Sequence, residues 1–421
     1  MTIRHLYPAV EPSLNLDFAN SKKLDSRITF TRGSTATYTD ESGIIRTAAA
    51  NEARFDHDGD GNSLGLLIEE SRTNLVTYSE DYSQSSWTLD DCTIQSTSVL
   101  TPDGQTALLL RESATTQTHN IRQSPSTSTG TTYTASVFLK KYTRQYAWIG
   151  YVFNSAAGTV AQIDLNTGQI VYSAKIYATD SIQSTSVIPY PNGWYKVTIT
   201  FTNGLVSPNI SVGTADSLWT SGNADGNQFL GDTNEGLYIW GAQLEAGSFP
   251  TSYIPTSGST VTRSADVASM TGTNFSSWYN QSEGTILESV RTLVPANISN
   301  GWLFQITDGT PSNRIELFQG GSGDSYPRVQ GLYRYLNSTT GGFLNQETGW
   351  TTDGRTLDNI AFAWDSSGFT LQTKFDSTPS TGTGTYSQSL NQVNISHNGT
   401  ISRLTYYPTR LTNAQLQALT L

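Results

Sequence analysis

Flat aromatic rings flanked by amide, carboxylate and guanidinium groups are what a protein needs to hold a sugar. The rings stack on C–H faces and the polar groups bond the hydroxyls. Residues 142–151 concentrate such groups: Tyr142, Arg144, Tyr146, Trp148 and Tyr151 crowd one strand and its entry. Alternation along a strand puts Tyr146 and Trp148 on one face and Tyr151 on the other. One of those faces must enter a core, so at most about half of these rings are free to meet a ligand. A comparable set, Tyr333, Tyr335, Trp350 and Arg355, lies in the last third of the chain. Trp194 and Trp240 sit in strand patterns that read as packing positions.

Asp56, Asp58 and Asp60 alternate ahead of Gly61, as at the start of a calcium loop. The twelfth position from Asp56 is Leu67 rather than a bidentate Glu, and Glu69 and Glu70 come two residues late. The segment therefore has two readings, a calcium site on Asp56, Asp58 and Asp60 or a hydrated Asp/Gly turn.

Catalytic constellations are scarce. The four histidines, His5, His57, His119 and His397, are scattered, with no pair at metal-ligand spacing, and no Gly-x-Ser-x-Gly elbow occurs. Cys92 follows Asp90 and Asp91, whose charges raise a thiol pKa rather than activate it. Glu69 and Glu70 are adjacent, so on a strand they point to opposite faces and cannot act as the facing pair a glycosidase uses. The expectation is a protein that binds and is not an enzyme.

The elements that must position these groups are strands. Only 14% of the 421 residues are charged, and Ser, Thr, Gly, Asn and Tyr are abundant, the makeup of short strands joined by polar turns. The chain is too long for one core. Its net charge of −11 argues against a nucleic-acid or anionic-membrane partner. Nothing in it reads as a membrane span, and Met1–Pro8 lacks the apolar run of a signal peptide. One cysteine excludes an intrachain disulfide.

The predicted organisation has residues 1–76 as an N-terminal arm (1–13) and β-rich anchoring region, and 77–256 as a β-sandwich of strands recurring every 8–15 residues. A linker spans 257–264, and 265–421 is a second sandwich. Within 237–244, Tyr238, Trp240 and Leu244 are expected on one face and Ile239, Gly241 and Gln243 on the other. Thr412 to Gln415 spells a capping box, so one short helix closes the chain, with Leu416 and Leu419 on its apolar side.

Several stretches resemble a known pattern: 28–38 (ITFTRGSTATY), 54–58 (RFDHD), 64–75 (LGLLIEESRTNL), 236–256 (GLYIWGAQLEAGSFPTSYIPT), 262–266 (TRSAD) and 274–284 (NFSSWYNQSEG). In this order they are similar to virion proteins of tailed bacteriophages, in which a lectin-like jelly roll ends in the words of 236–256. The ending 401–416 (ISRLTYYPTRLTNAQL) resembles the last strand and helix of concanavalin-A/laminin-G-like domains. The resemblance implies an all-β chain of tandem sandwiches, a carbohydrate-binding-module-like jelly roll over 77–256 and a concanavalin-A/laminin-G-like sandwich over 265–421.

It further implies a tail-fibre, spike or head-decoration subunit, folded in the bacterial cytoplasm and carried on the virion. Such a subunit assembles as a homotrimer, is attached to other virion proteins through its N-terminal region, and binds surface glycans through residues such as Tyr142, Arg144, Tyr146, Trp148, Tyr333, Tyr335 and Trp350. Two alternatives stand beside it: a sandwich-fold glycan depolymerase, although the Glu-x-Asp-x-x-Glu strand of concanavalin-like glycanases is missing, and a mechanical capsid-decoration protein that binds no glycan.

Overall fold

The computed structural model describes residues 8–154, 157–175, 181–204, 208–220, 228–293, 301–310, 313–319, 328–334, 343–347, 358–374, 377–383 and 389–421. The chain is all-β, with strands in two sandwiches and only short helices. Strand alternation decides each sandwich: residues such as Ala147, Ile149 and Tyr151 face inward from one strand, Val197, Ile199 and Phe201 from another, and the two sheets close over them.

In the jelly roll, one sheet runs in the order 181–190, 194–202, 132–141, 236–246, 106–112 and 92–100. The opposing sheet runs 169–175, 157–164, 146–154, 209–215, 120–123 and 88–90. Cys92 is buried, and burial first, then Asp90 and Asp91, pushes its thiol up to about 12, so it is inert.

The closing strand Gly236–Ala246 departs from simple alternation. Leu237 and Ile239 enter the core while Tyr238 and Trp240 face outward. At Gly241, φ is +65°, a conformation that favours glycine, and the pairing with 132–141 slips between Ser136 and Phe138. After this bulge Ala242 and Leu244 point into the core. Leu244 therefore shares a face with Ile239, not with Trp240 as strict alternation predicted.

The N-terminal strands do not form a region of their own. Leu14–Asp17 and Ser63–Ile68 both pair with Gly399–Tyr407, and Arg54–His57 pairs with Ser63–Ile68. They complete a sheet with 284–292, 358–365, 368–373 and 380–383. Thr29–Thr31 joins the facing sheet through Val267–Thr271. Leu14, Leu16, Phe18, Phe30, Leu66 and Ile68 pack in one core with Ile286, Phe304, Phe362 and Tyr406. The second sandwich is thus built from both ends of the chain, with the jelly roll inserted between them. Short apolar strands within 14–68 could not bury both faces alone, and sharing sheets with 284–407 solves that.

The span 257–264 is also more ordered than a linker, because Val261–Arg263 pairs with Arg72–Asn74. The C-terminal helix Asn413–Thr420 has the predicted capping box at Thr412 and Gln415, and Leu416 packs beside Leu287, Ala361 and Tyr407 on the outer face of the sheet. Of the predicted arm, residues 1–7 lie outside the described residues.

The junction of the two sandwiches holds a buried cluster of charges. Asp266 accepts from Arg32 Nη1 at 2.9 Å, from Arg54 Nη2 at 2.5 Å and from the Glu69 amide at 2.9 Å. Glu69 pairs with Arg54 at 2.8 Å and with Arg263 at 3.6 Å, and accepts from the Ser252 amide and hydroxyl, each at 2.7 Å. Burial opposes ionisation of Glu69, but Arg263 and Arg54 outweigh it and hold the carboxyl at about 2.

The same segments fix the path out of the jelly roll. Glu245 accepts from the amide and hydroxyl of Thr251, and Gln243 Oε1 accepts from the Ile254 amide. Asn74 donates to the carbonyls of Ala242 and Ile254. The stretches 28–38, 54–58, 64–75, 236–256 and 262–266 thus converge on one buried joint.

Candidate ligand-binding face

Each jelly-roll sheet has an outer face, and the two differ. On the sheet containing Gly236–Ala246, Phe138, Trp194 and Trp240 are buried with Ile45 and Tyr253, which come from outside that sheet. Trp194 and Trp240 are therefore packing residues, as their strand patterns indicate. The outer face of the opposite sheet carries a cluster drawn from residues 146–219 alone: Trp148, Val160, Ala215 and Trp219, edged by Tyr146, Val152 and Tyr172.

Register explains this cluster. Tyr172 lies opposite Gln162, Gln162 opposite Trp148, Trp148 opposite Gly213, Gly213 opposite Asn120, and Asn120 opposite Asp90. One lateral row thus crosses all six strands. The indole of Trp148 lies across Gly213, where a Cβ would come within 2.6 Å of its Nε1, and that Nε1 donates to the Thr214 carbonyl at 3.2 Å.

Trp219 arrives from the segment after Asn209–Ala215 and folds back over the row. Its amide donates to Gln162 Oε1 at 2.9 Å, and Gln162 Nε2 donates to the Ser217 carbonyl at 2.8 Å. The Trp219 ring stands 5.9 Å from Trp148 and 6.1 Å from Tyr172, centroid to centroid. Trp148 and Trp219 are buried, whereas Tyr146 and Tyr172 are half-buried at the margins.

The polar end of the row is Asp90, Asn120 and Arg122. Arg122 Nε donates to Asp90 at 2.6 Å, with the two side chains 40% and 32% exposed. Asn120 Oδ1 is buried and, among the described residues, has no hydrogen-bond partner. Half-buried rings at one end and a partly exposed guanidinium–carboxylate pair at the other are complementary to a ligand with alternating C–H faces and hydroxyls.

The four expected residues of this region are separated by the fold. Tyr146 and Trp148 share the outer face and Tyr151 enters the core, as alternation predicts. Arg144 instead makes two 2.7 Å bonds to the buried carboxylate of Glu112 and stacks 5.0 Å from the Phe229 ring. Glu112 also accepts from the Asp232 amide, so Arg144 is occupied in holding that loop. Tyr142 is exposed but belongs to a different surface, edge-on to Tyr238 with the Arg111 guanidinium 5.6 Å from its ring.

Tyr333 is on strand Arg328–Arg334, but its side chain lies outside the described residues, as do Tyr335, Trp350 and Arg355 altogether. Trp219, Tyr172, Gln162 and Arg122 were missed from sequence. The only available signal was Gln162 itself, a polar residue between the apolar Val160–Ala161 and Ile163 of its strand.

Asp56, Asp58 and Asp60 are not brought together as ligands. Asp56 is turned to the Thr39 amide, 2.6 Å away, and burial raises its carboxyl to about 6. Asp58 accepts from the amides of Asp60 and Asn62, closing a turn. Among the described residues no group of three or more His, Cys, Asp or Glu side chains converges as a metal set would. In this arrangement Asp58 closes an Asp/Gly turn.

No family model matches the chain, and no curated protein matches it. Among solved structures it is similar to the CBM40 of a Ruminococcus gnavus IT-sialidase bound to α2,3-sialyllactose, at 17% identity over 34% of this chain and 83% of that one, with a TM-score of 0.28. Domain 4 of a GH43 extracellular arabinanase from Geobacillus stearothermophilus, in complex with arabinotriose, gives 14% identity over 42% and 82%, with a TM-score of 0.28. Mouse laminin α1 domains LG4-5 give 11% identity over 72% and 89%, with a TM-score of 0.24. At such identities and scores these likenesses assign no residue.

Proposed function

We propose that this chain is a glycan-binding structural subunit of a tailed-bacteriophage virion, and that the jelly-roll face around Trp219 is its sugar-binding surface. The carrying observation is the aromatic row capped by Trp219 and ended by the Arg122–Asp90 pair, on the jelly-roll face whose apolar cluster is drawn from the jelly roll alone. Half-buried Tyr146 and Tyr172 offer rings to C–H faces, while Arg122 and Asp90 offer partners to hydroxyls.

The virion assignment is supported by the resemblance of segments 28–38, 54–75, 236–256 and 262–266, whose side chains meet at the buried joint. In this reading the N-terminal arm attaches the chain to other virion proteins, the subunits form a homotrimer, and the protein binds without cutting.

A glycan array followed by titration of the best ligand tests the binding. Tyr172→Ala and Arg122→Ala are expected to weaken it at least about tenfold, the effect of losing a stacked ring or a charge-assisted bond. Trp219→Ala is expected to weaken it further by removing the ring that packs against Trp148 and Tyr172. Binding that survives all three substitutions would place the site elsewhere, and reducing-sugar release from host polysaccharide would replace the binding role with a depolymerase. Electron microscopy of intact particles with an antibody to the chain checks the virion location, and sedimentation checks the trimer.

A further inference from the structure

A cavity of about 280 Å³ lies at the joint itself, away from the Trp219 face. Its walls come from three parts of the molecule: the N-terminal strands and their turn at residues 39, 56–60, 64, 67 and 69, the jelly-roll side at 188–190, 196 and 250–252, and the strand ends at 291, 293, 399 and 400. The volume is that of several waters, far beyond a packing defect.

Most of its polar lining is already engaged. Glu69 is held by Arg54, Arg263 and Ser252, Lys196 Nζ donates to the Thr251 carbonyl at 2.8 Å, and Asp58 closes its own turn. Three lining groups are not. His57 is only 6% exposed, and its Nδ1 lies 3.0 Å from the Thr39 carbonyl. The tautomer that satisfies this contact carries its proton on Nδ1, which leaves Nε2 as a buried acceptor without a partner. Thr400 is 5% exposed with its hydroxyl unpartnered, and Arg291 Nε is a buried donor without an acceptor among the described residues. Native interiors seldom leave three such groups on one cavity wall unless something fills it.

We propose that this cavity binds a neutral, monosaccharide-sized sugar. An acceptor at His57, a donor at Arg291 and a group at Thr400 that can do either match the alternating hydroxyl pattern of a polyol. Leu64, Ile188 and Pro250 present apolar surface to its C–H groups. With Glu69 offset by Arg54 and Arg263, the lining carboxylates Asp56, Asp58 and Asp60 still outnumber the cations Lys196 and Arg291, so a sugar bearing its own carboxylate is repelled. The ligand would touch both sandwiches and the turn between them, and would therefore stabilise the joint as it binds.

The test is calorimetric titration and thermal unfolding of the full chain with glucose, galactose, mannose, N-acetylglucosamine and glucuronate. At least one neutral sugar is expected to bind and raise the unfolding midpoint, with glucuronate at least tenfold weaker. Thr400→Val, which keeps the shape and removes the hydroxyl, and Ile188→Trp, which fills the space, are each expected to weaken the neutral sugar at least tenfold. Trp219→Ala is expected to leave this binding unchanged, which separates it from binding at the jelly-roll face. Absence of binding by every neutral sugar, preference for glucuronate, or binding that persists in both cavity variants would overturn the proposal.

Discussion

Replacing Asp266 with alanine is expected to cost about 3–5 kcal/mol of stability, the usual penalty for removing one partner of a fully buried ion pair. The carboxylate is entirely buried and serves two guanidinium groups, Arg32 and Arg54, that are equally inaccessible. Without it both cations keep their desolvation cost and lose the charge that offset it. Glu69 still faces Arg54 and Arg263, so the joint is left with an excess of buried positive charge.

Asp266 also accepts from the Glu69 amide, and its own amide donates to the Glu69 carbonyl, so the backbone crossing between the sandwiches loosens too. Urea unfolding should show the loss, and limited proteolysis should show new cleavage within residues 249–263. As a control, Glu41→Ala breaks the exposed Lys22–Glu41 pair and is expected to leave the midpoint unchanged. A cost below about 1 kcal/mol for Asp266→Ala, with an unchanged cleavage pattern, would refute the idea that this cluster holds the modules together.

The second large effect is expected at Glu288, on strand Gly284–Thr292. Its neighbours on the same side, Ile286 and Val290, lie in the second sandwich core, and it faces Ile360 and Leu404 on the adjacent strands. Both carboxyl oxygens are buried without a hydrogen-bond partner among the described residues, and burial raises the group from 4.5 to about 8.

In the unfolded chain the carboxyl ionises near 4.5, whereas in the fold it stays protonated until about 8. The unfolded state therefore sheds its proton first. The stability linked to this group is fully present below about pH 4.5, declines as pH rises, and is gone above about pH 8. The loss is on the order of 5 kcal/mol across that window. Glu288→Gln, which cannot ionise, should flatten this dependence and be more stable than the parent at pH 8.5, with the advantage vanishing near pH 4. Parallel urea titrations across the range check it, and an unchanged slope in the variant would show that Glu288 carries a charge or a partner inside the fold.

Much of the local structure was legible from residue pattern. The phase of residues 146–151 placed Tyr146 and Trp148 apart from Tyr151, and the Thr412–Gln415 box located the final helix, because both are set by neighbours within a few positions. The Asp56–Gly61 segment was legible only as two alternatives. In the fold the Thr39 amide donates to Asp56, a contact that no spacing within the segment announces. Arg144 could not be separated from Trp148 by spacing, because its engagement is with Glu112, on a strand 32 residues away.

The sequence by itself determined that this chain is all-β, how residues 146–151 divide between two faces, and that arginine- and acid-bearing stretches stand on either side of the jelly roll. Only the tertiary structure decided what those stretches do. Arg32, Arg54, Glu69, Arg263 and Asp266 are up to 234 residues apart, yet they share one dry joint, where each charge is tolerable only because the others are present. Likewise, nothing local assigned Leu14–Asp17 to a sheet with Gly399–Tyr407, or set Trp219 over Trp148. Strand partners and capping rings are selected by which distant surface completes the burial of both faces of a sheet, and that information is not carried by any short stretch of the chain.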